Sequence, residues 1–328
     1  LAAFSMKCQV LIKRLLWRAS QAVFTLWLLS VMIFCAMSLV KGDAASQRLA
    51  GTGSREQVTA LRAQLGLDQP LAARYLQWAK GVMHGDWGTS YLNGRSVSTL
   101  IRERGGASLA LGASASVLLV VIALGLGIYC GLHPGSVIDR GISLLSLGFV
   151  ALPEFVTGTL LVMVFSLTLH WLPALSLLSP GQSLWSQWPL FILPIMTLLS
   201  VALAQNIKLV RLGVMRASQS PACECARLNG IAEYRVVLHW ILPEALGHCL
   251  PVLARYITYL FAGALVAETL FGWPGLAAAL LNATLSRDTP VVMGISMVMC
   301  TLTVLLNLLA DSLTALLNPA AFRGGRDA

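Results

Sequence analysis

Ser220-Pro221-Ala222-Cys223-Glu224-Cys225-Ala226-Arg227-Leu228-Asn229-Gly230-Ile231 is a polar island in an oily chain, and it runs on to Trp240-Ile241-Leu242-Pro243-Glu244. The pattern predicts a helix, a turn and a second helix. Ser220 is a residue type that caps helix N-termini, Pro221 suits the first helical position, and Gly230 suits the left-handed residue that closes a helix. A short polar helix pair set between long apolar runs belongs outside a bilayer. The chain around it is therefore read as an all-α integral membrane protein with about six crossings.

Composition agrees. Of 328 residues, 57% are hydrophobic and only 11% charged, with a mean hydropathy of +0.75, whereas soluble chains carry roughly 25% charge. A net charge of +9 would suggest nucleic acid in a soluble protein. Here the basic residues are scattered among apolar runs, as expected of Lys and Arg on the cytoplasmic side of a membrane, so no nucleic-acid partner is expected. None of the cysteines falls in a segment expected to face an oxidising compartment, which argues against a disulfide framework. Cys223 and Cys225, with His239 nearby, form too weak a pattern for a metal site and are read as small buried packing residues.

Working outward from the island, Lys7, Lys13, Arg14 and Arg18 precede an apolar run from Ala19 to Val40. That run is longer than the hydrophobic stretch of a signal peptide and reads as a first crossing. Lys41 to Arg104 is too charged to span and too long to be a simple connection, so it is expected to fold as a small insertion. Ser54 with Gln57 forms a capping box, Gly66 ends that helix, and Pro70 opens a second one carrying Tyr75, Trp78, Ala79 and Val82 as a packing stripe. Ala107–Leu132 is the second crossing, rich in the small residues that let helices approach closely. Gly141–His170 exceeds one straight span. It is read as a tilted or interfacial piece, a break at Pro153-Glu154, and the rest of a third crossing. Leu190–Leu209, Cys249–Glu268 and Val291–Leu313 complete the set. Among the short connections, Arg140, Lys208, Arg211, Arg216, Arg227 and Arg235 fall on one side and Arg287 on the other. This places both termini in the cytoplasm, since long translocated segments escape the charge rule.

Motifs for chemistry are missing. No Lys is followed by Ser or Thr, so there is no phosphate-binding G-x-x-x-x-G-K-[ST] loop, and neither H-E-x-x-H nor G-x-S-x-G occurs. A non-catalytic chain with no cofactor and no bound metal is expected. Ionisable residues in or beside the crossings are costly and draw attention. Glu154 follows the carbonyls freed by Pro153 and is a candidate for a translocation pathway. Glu268, near a span end, is a weaker candidate. An ion-gradient-driven secondary transporter would use such acids at the midplane, without the polar loop.

Glu224, Cys225, Ala226 and Gly230 follow the spacing E-A-A-x-x-x-G, and Leu242-Pro243 continues it toward I-x-L-P, with Cys225 standing for Ala and Trp240 for Ile. Here the chain resembles the membrane subunits of binding-protein-dependent ABC importers. Gly85-Asp86-Trp87-Gly88-Thr89-Ser90, Glu268 to Leu276, and Arg287-Asp288-x-Pro290-Val291-Val292 resemble segments of the dipeptide, oligopeptide and nickel permeases in particular. The resemblance implies the MetI-like fold, with a cytoplasmic N-terminus and first helix (1–40), a periplasmic insertion (41–106), a permease core (107–317) holding a coupling loop (216–247), and a cytoplasmic tail (318–328). It implies an inner-membrane importer of peptides or nickel and other metal chelates. Its implied partners are a second permease, two cytoplasmic ATPases and a periplasmic solute-binding protein. It also implies that Glu224, Cys225, Ala226, Gly230, Leu242 and Pro243 couple the chain to the ATPases.

Overall fold

The computed structural model describes residues 2–39, 42–49, 54–177, 179, 184–262 and 264–317, with side chains from residue 17 onward except at 184, 185, 262 and 313–317. The expected tail at 318–328, Lys41, and the Pro180-Gly181 turn lie outside the described residues. Among the described residues the only extended pairing is an isolated bridge between Thr89 and Ser96. In order the helices are α1 Ala2–Leu39, α2 Ala44–Arg48, α3 Arg55–Gln64, α4 Leu71–Met83, α5 Val97–Leu132, α6 Val137–Ala151, α7 Glu154–Leu161, α8 Pro189–Ser218, α9 Pro221–Leu228, α10 Glu233–Val236, α11 Leu242–Ala262, α12 Leu265–Leu270, α13 Leu276–Leu285 and α14 Thr289–Leu317. Wider π-type turns follow α7 (Val162–Thr168) and α10 (Val237–Ile241). Among the described residues five stretches are long and apolar enough to cross a bilayer, and a sixth exists if the bent pair α6–α7 forms one crossing.

That pair sharpens the sequence reading. The break falls at Leu152-Pro153 as expected, but the axes of Val137–Ala151 and Glu154–Thr168 differ by 111°, far beyond an ordinary proline kink. Leu152 sits in extended backbone (ψ 134), the conformation that a following proline imposes by steric conflict with the helical one. Pro153 then sits at the N-cap of α7, where its missing N–H costs nothing.

The chain divides into two compact units, residues 1–106 with 275–305, and residues 107–274 with 306–328. In the first, Val97, Leu276, Ala283, Val291 and Ile295 form a buried core. Gly294 is needed there, because a Cβ would lie 2.4 Å from Val97 Cγ1. The insertion helices pack as expected. Ser54 and Gln57 exchange both capping-box bonds, and Tyr75 meets Phe34 of α1 edge-on at 5.5 Å. Two of the quoted motifs also meet here. Ser90 Oγ donates to Asp288 Oδ2 at 2.5 Å and Tyr91 N–H donates to Asp288 Oδ1 at 3.0 Å, so the Asp288 carboxylate ties the segment before α5 to the turn before α14.

The second unit is built on α8. Leu193, Leu198, Ala202, Ile207, Val210 and Val214 of α8 are buried with Leu111, Ala115, Leu119 and Ala123 of α5, which recur every four residues along one face. Gly127 and Gly131 continue that face. A Cβ at Gly131 would come within 2.9 Å of the Arg211 carbonyl, so the two backbones touch as small-xxx-small pairs allow. At the other end Trp273 is buried, donates from Nε1 to the Ala107 carbonyl at 3.1 Å, and meets Phe191 edge-on.

Candidate functional site

Helix α9 begins where Pro221 fixes φ and the Ser220 carbonyl accepts from the N–H groups of Cys223 (3.0 Å) and Glu224 (3.1 Å). Ser220 has the extended backbone of an N-cap, but its hydroxyl does not cap. Oγ is buried without a hydrogen-bond partner, which corrects the role expected of that side chain. The other end follows the sequence reading. Gly230 takes φ +73, its N–H bonds the Arg227 carbonyl at 2.9 Å, and the Ile231 N–H bonds the Ala226 carbonyl at 3.2 Å. This is a complete Schellman closure, with Ile231 and Ala226 both packed in the core beneath it.

The helix has two faces. Cys223 and Ala226, three apart, are buried with Val236 and Ile241. Glu224, Cys225 and Leu228 point outward, and Leu228 is 82% exposed. Of the residues expected to couple, Glu224, Cys225, Gly230 and Pro243 therefore lie at the surface, Leu242 is half-buried and Ala226 is buried. Cys225 is not the buried packing residue expected, because it lies two residues after Cys223 and one before Ala226, off the face that this buried i, i+3 pair defines. The exposed apolar surface continues at Tyr234 and Leu238. Neither these nor Leu228 stood out in a chain where leucine is everywhere.

Arg227 holds the element together. Its Nε and Nη2 donate to Glu233 Oε2 and Oε1 at 3.0 and 2.7 Å, and its Nη1 donates to the Ser218 carbonyl at 2.9 Å. One guanidinium thus joins the last residue of α8, α9 and the start of α10, and the Glu233 carboxylate raises the Arg227 pKa above its usual range. Both side chains are largely exposed, so the pair itself contributes no more than about 1 kcal/mol. Its value is geometric, because the planar fork fixes the angle between three segments. The π-type turn Val237–Ile241 ends just before Pro243, which has no N–H to give the carbonyl one turn back. Widening that turn accommodates the proline inside a continuing helix.

Near the C-terminal end of α8, Arg211 grips Asp139 at the start of α6, with Nε to Oδ1 at 2.5 Å and Nη2 to Oδ2 at 2.9 Å. The Asp139 side chain is only 4% exposed and also accepts from the Gly135 N–H. The sequence shows both residues but gives no signal that links them across so many positions.

The candidate pathway residues separate. Glu154 is half-buried at the break, with Oε2 within 3.5 Å of the Tyr259 hydroxyl and Oε1 buried without a hydrogen-bond partner. Glu268 is wholly buried and accepts from Ser108 Oγ at 2.6 Å, so in this chain it faces packed protein. Among the described residues no group of three His, Cys, Asp or Glu side chains is placed to hold a metal ion.

This arrangement has relatives. Residues 123–323 match the family model described as binding-protein-dependent transport system inner membrane component, and residues 11–111 match the model of its N-terminal part. A protein of Brucella suis that carries the name of a peptide permease is 31% identical over 89% of this chain and 93% of its own length. The glutathione transport system permease protein GsiC of Salmonella choleraesuis is 31% identical over 90% of this chain and 94% of its own. The MetNI methionine ABC transporter, in an inward-facing form, superposes with a TM-score of 0.51 at 16% identity, covering 67% of this chain and 97% of that one, a likeness of fold.

Proposed function

The chain belongs to the family of binding-protein-dependent transport system inner membrane components, and on that premise we propose that it carries peptides from periplasm to cytoplasm, driven by two ATPase subunits that grip the loop 216–247. It is a multi-pass permease of the ABC importer class, and hydrolysis resides in its partners. The observation that carries the reading is α9 itself. A two-turn helix, fixed at both ends and tied by Arg227 to its neighbours, presents Glu224, Cys225 and Leu228 to solvent. An exposed leucine beside an acid, on a short rigid helix, suits insertion into a groove with an apolar floor and a basic rim. Closure of the ATPase pair would then move the helix as a rigid body.

A second, homologous permease would complete the pathway, and a periplasmic binding protein would deliver the substrate onto the side bearing the insertion 41–106, with both termini in the cytoplasm. Pro153 and Glu154 are proposed to line that pathway, where the break frees backbone carbonyls, and Glu268 to brace it from behind through Ser108. Peptides are the proposed cargo because relatives carry the names of peptide and glutathione permeases.

The test is co-purification joined to uptake. The wild-type chain is expected to bring down its ATPase subunits and to support uptake of labelled peptide. Changing Leu228→Asp together with Glu224→Lys is expected to abolish both while leaving membrane insertion intact. Retention of the ATPases by that variant, or uptake of a nickel chelate in place of peptide, would overturn the corresponding part of the reading.

A further inference from the structure

Within the first unit, a concave polar cavity of about 430 Å³ opens beside the last turn of the first apolar span. Met37 and Ser38 of α1 form one wall, and Arg62, Arg74, Tyr91 and Arg287 form the others together with Asp43. Three guanidiniums therefore face a single carboxylate.

That carboxylate is already engaged. Asp43 pairs with Arg62 at 2.9 Å and caps α2 through Ser46, and Arg62 also lies 3.6 Å from Asp68. Arg74 and Arg287 have no carboxylate within ion-pair distance among the described residues, and the Arg74 guanidinium lies over the Phe34 ring, 5.8 Å from its centroid. The acid adjoining Arg287 in sequence points elsewhere: the Asp288 carboxylate accepts from Ser90 Oγ and the Tyr91 N–H and forms no ion pair with Arg287.

Arg287 is also held in an uncommon backbone state. Its φ of +60 fills the left-handed closing position of α13, with its own N–H on the Thr284 carbonyl and the Asp288 N–H on the Ala283 carbonyl. Glycine takes that position without strain and arginine does not. A strained non-glycine residue whose side chain lines a cavity is a reason to look for something that side chain binds.

Depth selects the ligand. Trp17–Leu39 is an apolar run long enough to cross a bilayer, so Met37 and Ser38 sit at the level where hydrocarbon gives way to headgroups. Helix α4 lies beside that end of α1, through Ser30 Oγ and Tyr75 Oη at 2.8 Å and through Phe34. It leaves Leu76 and Met83, seven residues apart on another face, exposed, as a helix resting on a membrane surface would.

We propose that this cavity binds the phosphodiester headgroup of an anionic membrane lipid, with Arg74 and Arg287 as the phosphate ligands. Guanidinium forks match phosphate oxygens in pairs, and a half-buried setting strengthens the contact relative to open water. The proposal does not rest on the direction of transport or on the ATPase docking of α9.

The experiment uses the complete transporter in detergent, titrated with phosphatidylglycerol or phosphatidylcholine and read by native mass spectrometry. The wild type is expected to retain phosphatidylglycerol at least tenfold more tightly than phosphatidylcholine. Arg287→Gly relaxes the backbone as it removes the charge, so it should fold at least as well yet lose most of that preference. Arg74→Gln should do likewise, and Arg55→Gln, an equal charge change at the exposed start of α3, should not. Equal retention of the two lipids, or a wild-type preference in Arg287→Gly, would overturn the proposal. Displacement of the lipid by millimolar inorganic phosphate would assign the site to soluble phosphate and overturn the lipid reading. Lost ATPase association in an Arg55→Gln or wild-type sample would count against the α9 reading alone.

Discussion

Replacing Gly230 by valine isolates what the backbone would contribute to the proposed coupling. Nothing lies within 4 Å of the position that a Cβ at residue 230 would occupy, so the substitution meets no steric wall and acts through φ alone. At φ +73 an L-residue other than Gly, Asn or Asp costs about 1–2 kcal/mol, and a β-branched one belongs at the upper end. Helix α9 has only eight residues, too few to persist without its closure and its packing. A penalty of about 2 kcal/mol can therefore lower the fraction of chains with a formed turn by up to ~30-fold, at tenfold per 1.4 kcal/mol. If docking requires that turn, apparent ATPase affinity falls by the same factor. The expected order is Gly230→Asn within about twofold of wild type, Gly230→Ala near fivefold weaker, and Gly230→Val tenfold to ~30-fold weaker. Affinity is measured by titrating purified ATPase onto the permease in nanodiscs, with binding-protein-stimulated ATP turnover as the second readout. Equal affinities for Asn, Ala and Val would refute the argument, since a purely chemical role for residue 230 gives no reason for that order.

Asp139→Asn should lower the thermal stability of the purified assembly by the equivalent of about 3–5 kcal/mol, because it leaves Arg211 half-buried opposite a neutral amide. Asp139→Asn with Arg211→Met should lose clearly less than the sum of the single changes, and simple additivity would show that the pair does not couple α6 to α8. Gly112→Ala places a methyl 2.5 Å from Phe261 Cε1, an overpacking expected to cost about 1–3 kcal/mol. In a Phe261→Ala background, which is itself destabilised, the added cost of Gly112→Ala should fall by at least half in the same unfolding assay, and an unchanged increment would mean that α5 and α11 do not meet there.

What could be read from the sequence follows the range of each interaction. The closure of α9 at Gly230, the capping box of α3 and the break at Pro153 depend on residues a few positions apart, and residue types alone specify them. The apolar crossings are equally local, because hydropathy acts over one span. The Asp139–Arg211 pair and the tie between Ser90 and Asp288 join residues separated by 72 and 198 positions, and no periodicity encodes them. The Ser220 hydroxyl departs from the sequence expectation for a related reason. Its backbone conformation is local, but the direction of its side chain is set by what α9 packs against. Leu228 carries no signal in the sequence, because its place on an exposed loop helix sets it apart and not its residue type, and exposure is a property of the folded loop.

These differences bear on how a push at α9 would travel. Only Gln219 and Ser220 separate α8 from α9, and Arg227 spans that gap by binding the Ser218 carbonyl, so the joint is short and bridged. Helix α8 is 30 residues long, about 45 Å of continuous backbone. Near its α9 end it holds α6 through Arg211 and Asp139. Farther along it meets α7, where Gly158 packs so closely that a Cβ would lie 3.0 Å from Thr197 Cγ2. One rigid rod is thus clamped to both arms of the bent pair by different means, a charged fork on α6 and close packing on α7. On the proposed coupling, a tilt of α8 displaces the two clamps by unequal amounts. The segment between them with the least helical hydrogen bonding, Leu152-Pro153, has to absorb the difference, and Glu154 is the first residue it would carry.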